Sequence, residues 1–323
     1  MGITIHDVAT AAGVSPATVS RVLAGGNSVA PKTAERVRQV IEWLGYRPDR
    51  VAQSLRRQRS GMMGLVLPID LYPASDMLIR HLERCLAIRD MSLLLADTTE
   101  GTDHEAQQRL VAQGVDALFV VRVSPSQDPL GVSGQSTPVI LIDSGRASGD
   151  IDSVRVDHGA GIRQVVRFLA REGASRPAFV GEGSASHNGT QQLEAFAEVT
   201  SSIPELLTTA IRLGPPTAEF ARSVIAELAC LDAPPDAYVC GSDIVAATIS
   251  KLLHREHPLS ALVVGYGGKA WCGLLSPELT TVDLPVQALA EEALRLASRR
   301  LDGLQAGPND IALPPSLTVR ESA

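Results

Sequence analysis

From Gly64 to Val264 the chain repeats one pattern, a short apolar run followed by an amphipathic stretch at helical spacing. The runs are Gly64–Leu67, Ser92–Ala96, Ala117–Val121, Val139–Ile142, Ala178–Val180, Ala237–Cys240 and Ala261–Val264. They are too short for buried helices and suit buried strands. Between most of them lie Ser75–Arg89, Glu105–Gln113, Gly159–Glu172, Thr217–Leu231 and Ile244–His254, each with apolar residues on one helical face. Strands alternating with helices predict doubly wound parallel sheets covered on both faces. Two such units of about 100 residues each fit the length and would hold a ligand between them, at the carboxyl ends of their strands.

Composition narrows the class. Of 323 residues, 45% are hydrophobic and 20% charged, enough apolar material for full cores and too little charge for a disordered chain. No apolar run approaches the roughly 18 residues of a membrane-spanning helix. Met1–Thr10 lacks the basic-then-apolar order of a secretory signal, so a cytoplasmic protein is expected. Cys85, Cys230, Cys240 and Cys272 form no C-x-x-C pair and are expected as reduced thiols, not as a disulfide frame or a zinc site. Gly181-Glu182-Gly183-Ser184 lacks the third glycine of a nucleotide turn and reads as a lobe loop. With no G-x-S-x-G, G-x-x-x-x-G-K or H-E-x-x-H, neither an enzyme activity nor a cofactor is expected.

Charge is informative once divided. Residues 1–60 hold nine Lys and Arg against four acids, a balance of +5, while the whole chain is −7 and residues 61–323 are therefore −12. A basic head on an acidic body suits a polyanionic partner for the head alone. Ile5, Val8, Ala9 and Ala12 share one helical face behind a Thr4 cap, and Gly13 breaks the run. Ser15 then caps a second short helix, Pro16–Leu23, with Pro16 at its first position. Val19, Val22 and Leu23 would pack inward, leaving Pro16, Ala17, Thr18, Ser20 and Arg21 outside. A third helix, about Pro31–Leu44, carries Val37, Val40, Ile41 and Leu44 on one face. This is the pattern of a helix-turn-helix, whose small polar outer face fits a major groove about 12 Å wide, although any three-helix bundle shares the periodicity. Arg47–Arg59 interleaves five arginines with Val51, Ala52 and Leu55. It reads either as a helix that forms against DNA, with Leu55 as a wedge, or as a solvated linker.

The residues Ile3-Thr4-Ile5-His6-Asp7-Val8-Ala9, Ala12-Gly13-Val14-Ser15, Ala17-Thr18-Val19-Ser20-Arg21-Val22-Leu23, Leu44-Gly45-Tyr46-Arg47-Pro48 and Ala52-Gln53-Ser54-Leu55 closely resemble the head and hinge of the LacI family of bacterial transcription regulators. The resemblance implies a helix-turn-helix domain at 1–47, a hinge helix at 48–60 and an effector-binding and dimerisation body at 61–323. It implies that Pro16, Ala17 and Arg21 face base edges, that Ser15, Thr18, Ser20 and Asn27 approach phosphates with Thr4 nearby, and that Leu55 enters the minor groove beside Ala52 and Arg56. Ala24 and Asp49 stand where the family usually has Asn, at the cost of a backbone contact.

The body resembles the family through Gly114-Val115-Asp116-Ala117, Val156-Asp157, Gly241-Ser242-Asp243, Val263-Val264-Gly265-Tyr266, Ser276-Pro277-Glu278-Leu279-Thr280-Thr281-Val282 and Val319-Arg320-Glu321-Ser322. That implies a two-lobed fold similar to periplasmic sugar-binding proteins, with an N-lobe at about 61–153 plus 284–310 and a C-lobe at about 154–283 plus 311–323. It also implies a homodimer on an inverted-repeat operator in double-stranded DNA, and a small-molecule effector, a sugar or sugar derivative, in the cleft. Asp243 matches the effector-binding Asp, and Asp157 and Gln192 fall at ligand positions, Gln192 replacing the usual Arg. Gly267-Gly268 replaces a usual Asp pair. Trp271 and Tyr72 are candidates to stack on a sugar ring or to serve as packed aromatics. The implied function is an effector-responsive repressor. The alternatives are a regulator whose degenerate cleft answers no ligand, and a solute-binding protein, which the basic head and the missing signal disfavour.

Overall fold

The computed structural model describes residues 3–23, 29–46, 59–70, 72–100, 102–122, 137–144, 151–183, 186–208, 210–256, 261–304 and 307–323. The chain divides into two compact units, Met1–Ser60 and Gly61–Ala323.

In the head, α1 (Ile5–Ala12), α2 (Pro16–Leu23) and α3 (Pro31–Leu44) follow the periodicity closely. Thr4 and Asp7 form a reciprocal capping box, and Gly13 ends α1 with φ +60°, a left-handed conformation suited to glycine. Val8, Ala9, Ala12, Val19, Val22 and Val37 are buried together, with Ile5, Leu23, Val40, Ile41 and Leu44 packed around them.

The body contains two six-stranded sheets. The first has the order β11-β5-β4-β3-β1-β2, from β1 (Met62–Leu67), β2 (Ser92–Asp97), β3 (Ala117–Val121), β4 (Val139–Ile142), β5 (Asp152–Val156) and β11 (Asp310–Leu313), and every pairing in it is parallel. The second has the order β12-β10-β9-β8-β6-β7, from β6 (Pro177–Gly181), β7 (Ala210–Leu213), β8 (Ala237–Cys240), β9 (Leu262–Gly267), β10 (Thr280–Asp283) and β12 (Ser316–Thr318). Only β12 runs antiparallel there. The helices are α4 (Ser75–Ala87), α5 (Asp103–Ala112), α6 (His158–Arg171), α7 (His187–Ser202), α8 (Ala218–Leu228), α9 (Asp243–Glu256) and α10 (Val286–Leu301).

Each sheet is covered on both faces, as parallel sheets require. On one side of the first sheet, Leu65, Leu67, Phe119 and Ile142 pack against Leu78 and Leu82 of α4 and Leu289 and Ala293 of α10, and on the other Val66 and Leu118 meet Ala106 and Leu110 of α5. In the second sheet Phe179 and Val264 face α6 and α7, while Val180 and Val263 face α8 and α9.

The lobe boundaries expected at 153/154 and 310/311 lie a few residues further on. β5 and β11 both belong to the first sheet, so the chain crosses after Val156, returns after Asp283 for α10 and β11, and crosses again after Leu313. Side-chain pinning explains the difference. Buried Asp152 accepts from Arg300 Nε (2.6 Å) and Asn309 N (2.8 Å), and Arg155 grips Asp310 at 3.0 and 3.2 Å, holding two charged strands in the sheet.

Candidate functional site

In the head, α2 carries the expected outer face. Thr18 N donates to Ser15 Oγ at 3.2 Å, and the two hydroxyls lie 2.9 Å apart, so Ser15 satisfies a backbone donor that a helix start leaves open. Ser15, Ala17 and Arg21 are exposed; Pro16, Thr18 and Ser20 are half-buried. Thr4 is engaged with Asp7, whose carboxylate accepts from both the Thr4 backbone N and the hydroxyl at 2.8 Å. Those hydrogen bonds hold the Asp7 carboxyl below its ordinary value. Asn27, Ala52, Leu55 and Arg56 lie outside the described residues.

In the body, the groups at the carboxyl strand ends converge on Asp143, just after β4. It is 1% exposed and sits at φ +49°, rare for a residue other than glycine. Its Oδ1 accepts from Val156 N (3.0 Å) and pairs with His158 Nε2 (3.1 Å), while Oδ2 accepts from Tyr72 Oη and Asn188 Nδ2, both at 3.2 Å. A carboxylate only accepts, so His158 Nε2 carries a proton, and in the neutral ring Nδ1 accepts from Tyr266 Oη at 2.9 Å. Burial alone would raise the Asp143 carboxyl, but His158 and the hydrogen-bond donors outweigh it and hold the group low. Burial pushes the Tyr72 and Tyr266 hydroxyls well up, so both stay protonated as donors. Tyr72 and Asp143 belong to the first lobe, and His158, Asn188 and Tyr266 to the second. The network therefore ties the lobes together.

Gly161 makes this closeness possible, because a Cβ there would sit 2.9 Å from both Tyr266 Oη and Pro315 Cγ. A second tie lies nearby, where Lys269 of the β9–β10 connection forms an ion pair with Asp76 at the start of α4.

The expected effector residues are placed as follows. Asp243, at the start of α9, is buried, with Oδ2 accepting from Lys269 N at 2.9 Å and Oδ1 accepting from the Thr281 hydroxyl. Burial raises its carboxyl above the ordinary range. Expected as an open acceptor for a sugar, it has both oxygens engaged by its own chain. Gln192 is buried in α7 against Gly241, where a Cβ would lie 2.9 Å from its Oε1, and its amide makes no hydrogen bond among the described residues. Asp157 caps α6, accepting from Ala160 N at 2.8 Å. Tyr72 is a packed aromatic, 2% exposed in the first-lobe core, and its buried ring offers no stacking face. Trp271 is half-buried against the cluster under α8 and α9. Asp143, His158 and Asn188 were not among the candidates. The available signal was an acid, Asp143, directly after the apolar run Val139–Ile142.

Comparison with known proteins follows this architecture. Residues 4–49 match the model of bacterial regulatory proteins of the lacI family, and residues 166–323 match a periplasmic binding protein-like domain. The maltose regulon regulatory protein MalI of Escherichia coli (strain K12) is 30% identical over 304 residues, covering 92% of this chain and 82% of MalI. The chain belongs to the LacI family of bacterial regulatory proteins. The LacI-family regulator CelR of Thermobifida fusca is 28% identical over 335 residues, covering 99% of this chain and 98% of CelR. Among solved structures, the Lac repressor dimer bound to operator and the anti-inducer ONPF superposes with a TM-score of 0.81 at 23% identity, covering 100% of this chain and 99% of that one. The CelR–cellobiose complex gives 0.72 at 24% identity, covering 99% and 100%. These structures share the fold of head and two-lobed body with the present chain.

Proposed function

We propose that this LacI-family regulator is a cytoplasmic repressor that binds an inverted-repeat operator as a homodimer and responds to a small sugar-like effector, acting by binding and not by turnover. The observation that carries the reading is the exposed face of α2, where a capped helix start presents Ser15, Ala17 and Arg21 to solvent with Thr18 and Ser20 beside them. A short, small-residue helix with one arginine can enter a major groove, read a base edge bidentately through Arg21, and meet phosphates through its hydroxyls. Two-fold symmetry of a dimer would be mirrored in the operator. Leu55 would act as the minor-groove wedge beside Ala52 and Arg56. Sugar chemistry for the effector is supported by relatives named for ribose and sucrose operons and by the cellobiose complex of CelR.

Selection of bound sites from a random DNA pool with purified protein, followed by titration at two salt concentrations, tests the reading. An enriched inverted repeat is expected. Uniform, strongly salt-dependent binding without a motif would overturn it.

Asp143 makes four polar contacts within the protein, both oxygens of Asp243 are engaged by its own chain, and the lobes are already tied, which favours a regulator that answers no cleft ligand. Operator binding in the presence of ribose, sucrose or cellobiose separates the two, since a shift with any of them excludes the second reading.

A further inference from the structure

α6 carries Arg163, Arg167 and Arg171 at successive helical turns. One turn of four residues rises about 6 Å, so the three guanidinium groups form a stripe on one side of the helix. A groove of about 420 Å³ runs along it, walled on the far side by Pro314 and Pro315 and floored in part by Gln164. The lining contains three arginines and no carboxylate, in a body that carries −12. Arg163 is shared between Asp157 (3.7 Å) and Glu198 (3.6 Å). Arg167 and Arg171 are exposed and have no ion pair or side-chain hydrogen bond among the described residues. The wall is fixed, because Pro315 is buried directly against Gly161 of the same helix.

An ordinary solvated helix face alternates charge or disperses it. Here the charged residues that line the groove are all arginines, although Arg163 is shared with Asp157 and Glu198 outside the lining, and the planar guanidinium groups of Arg167 and Arg171, one turn apart, can each take a phosphate bidentately. We infer that the groove between α6 and Pro314–Pro315 binds a small anion carrying at least two phosphates, such as a diphosphate ester. The groove lies between the helix that follows the first lobe crossing and the segment that makes the third. An occupant would touch the chain at two of its crossings between the lobes.

Inorganic pyrophosphate is the probe, titrated calorimetrically into the full-length protein with ionic strength held constant. Saturable binding of one equivalent per chain is expected, with orthophosphate weaker. The pair Arg167→Ala and Arg171→Ala, both on an exposed face, should weaken it at least about tenfold. Replacing the same two residues by lysine should restore part of the loss, because charge returns without the planar fork. Gln192→Ala, at an expected effector position, should leave pyrophosphate affinity unchanged. Absence of saturable binding, equal affinity in the alanine pair, or a comparable loss in Gln192→Ala would each overturn the inference.

Discussion

Asp143 shows how one side chain can be bound to its place by chemistry from both lobes. Its left-handed backbone and four polar contacts give it few ways to relax. Asp143→Ala would leave His158, Tyr72 and Asn188 without their acceptor and should destabilise the body by about 3–5 kcal/mol, read as a fall in the urea midpoint. The pH dependence has a definite sign. A carboxyl held low in the folded state contributes stability above the ordinary carboxylate value, near about pH 4, and loses it as pH falls through the lowered value. Thermal midpoints measured from neutral to acid pH should therefore drop less steeply for Asp143→Asn than for the wild type in that window, from a lower neutral starting point. Gly161→Ala belongs to the same scale. The added methyl meets Tyr266 Oη and Pro315 at 2.9 Å and should cost about 1–3 kcal/mol, whereas Ala160→Gly next to it should cost about 1 kcal/mol through helix propensity alone. Equal losses in the two would remove close approach from the account.

At the scale of elements, the head was legible because its determinants are local. Capping residues, a glycine stop and a helical period lie within a few positions of one another, and α1, α2 and α3 begin and end where those signals stand. Ser15→Ala should cost the head about 1 kcal/mol of stability through the lost cap. Arg21→Ala should leave head stability nearly unchanged and weaken binding to the preferred operator by about 1–3 kcal/mol while relaxing preference at one base pair per half-site. Equal weakening on all sequences, measured by competition, would show a phosphate contact instead. Other elements were hidden. β5 reads Asp-Ser-Val-Arg-Val and β11 Asp-Ile-Ala-Leu, and their charges are matched by partners about 150 residues away in sequence. α7 buries Gly189, Gln192 and Thr200, which no hydrophobic period would reveal. α10 follows a strand of the second lobe and packs on the first, so simple alternation of strand and helix does not place it.

For the whole molecule, alternation of apolar runs gave two doubly wound units, but not how their strands are shared. The interlobe network draws on positions 72, 143, 158, 188 and 266, and no local spacing connects these. Asp243 stood out by its neighbours in sequence, yet its engaged oxygens depend on Thr281 and Lys269, which fold back from another strand and its connection. If lobe movement transmits an effector signal to the head, the ties should bias it. Asp76→Ala, which frees Lys269 and touches no buried group, should shift the operator response to a sugar panel while leaving thermal stability within about 1 kcal/mol of the wild type. An unchanged response would mean that the ion pair does not report lobe position.

The shared strands also set an order of assembly. Both sheets receive an edge strand from residues 310–318: β11 beside β5 in one, β12 beside β10 in the other. During synthesis the head can fold early, while neither half of the body has its full set of strands until almost all of the described chain has left the ribosome. A stop codon before Asp310 would not yield one intact lobe and one damaged lobe. It would release a basic head joined to two incomplete sheets, each with an open edge available to other chains.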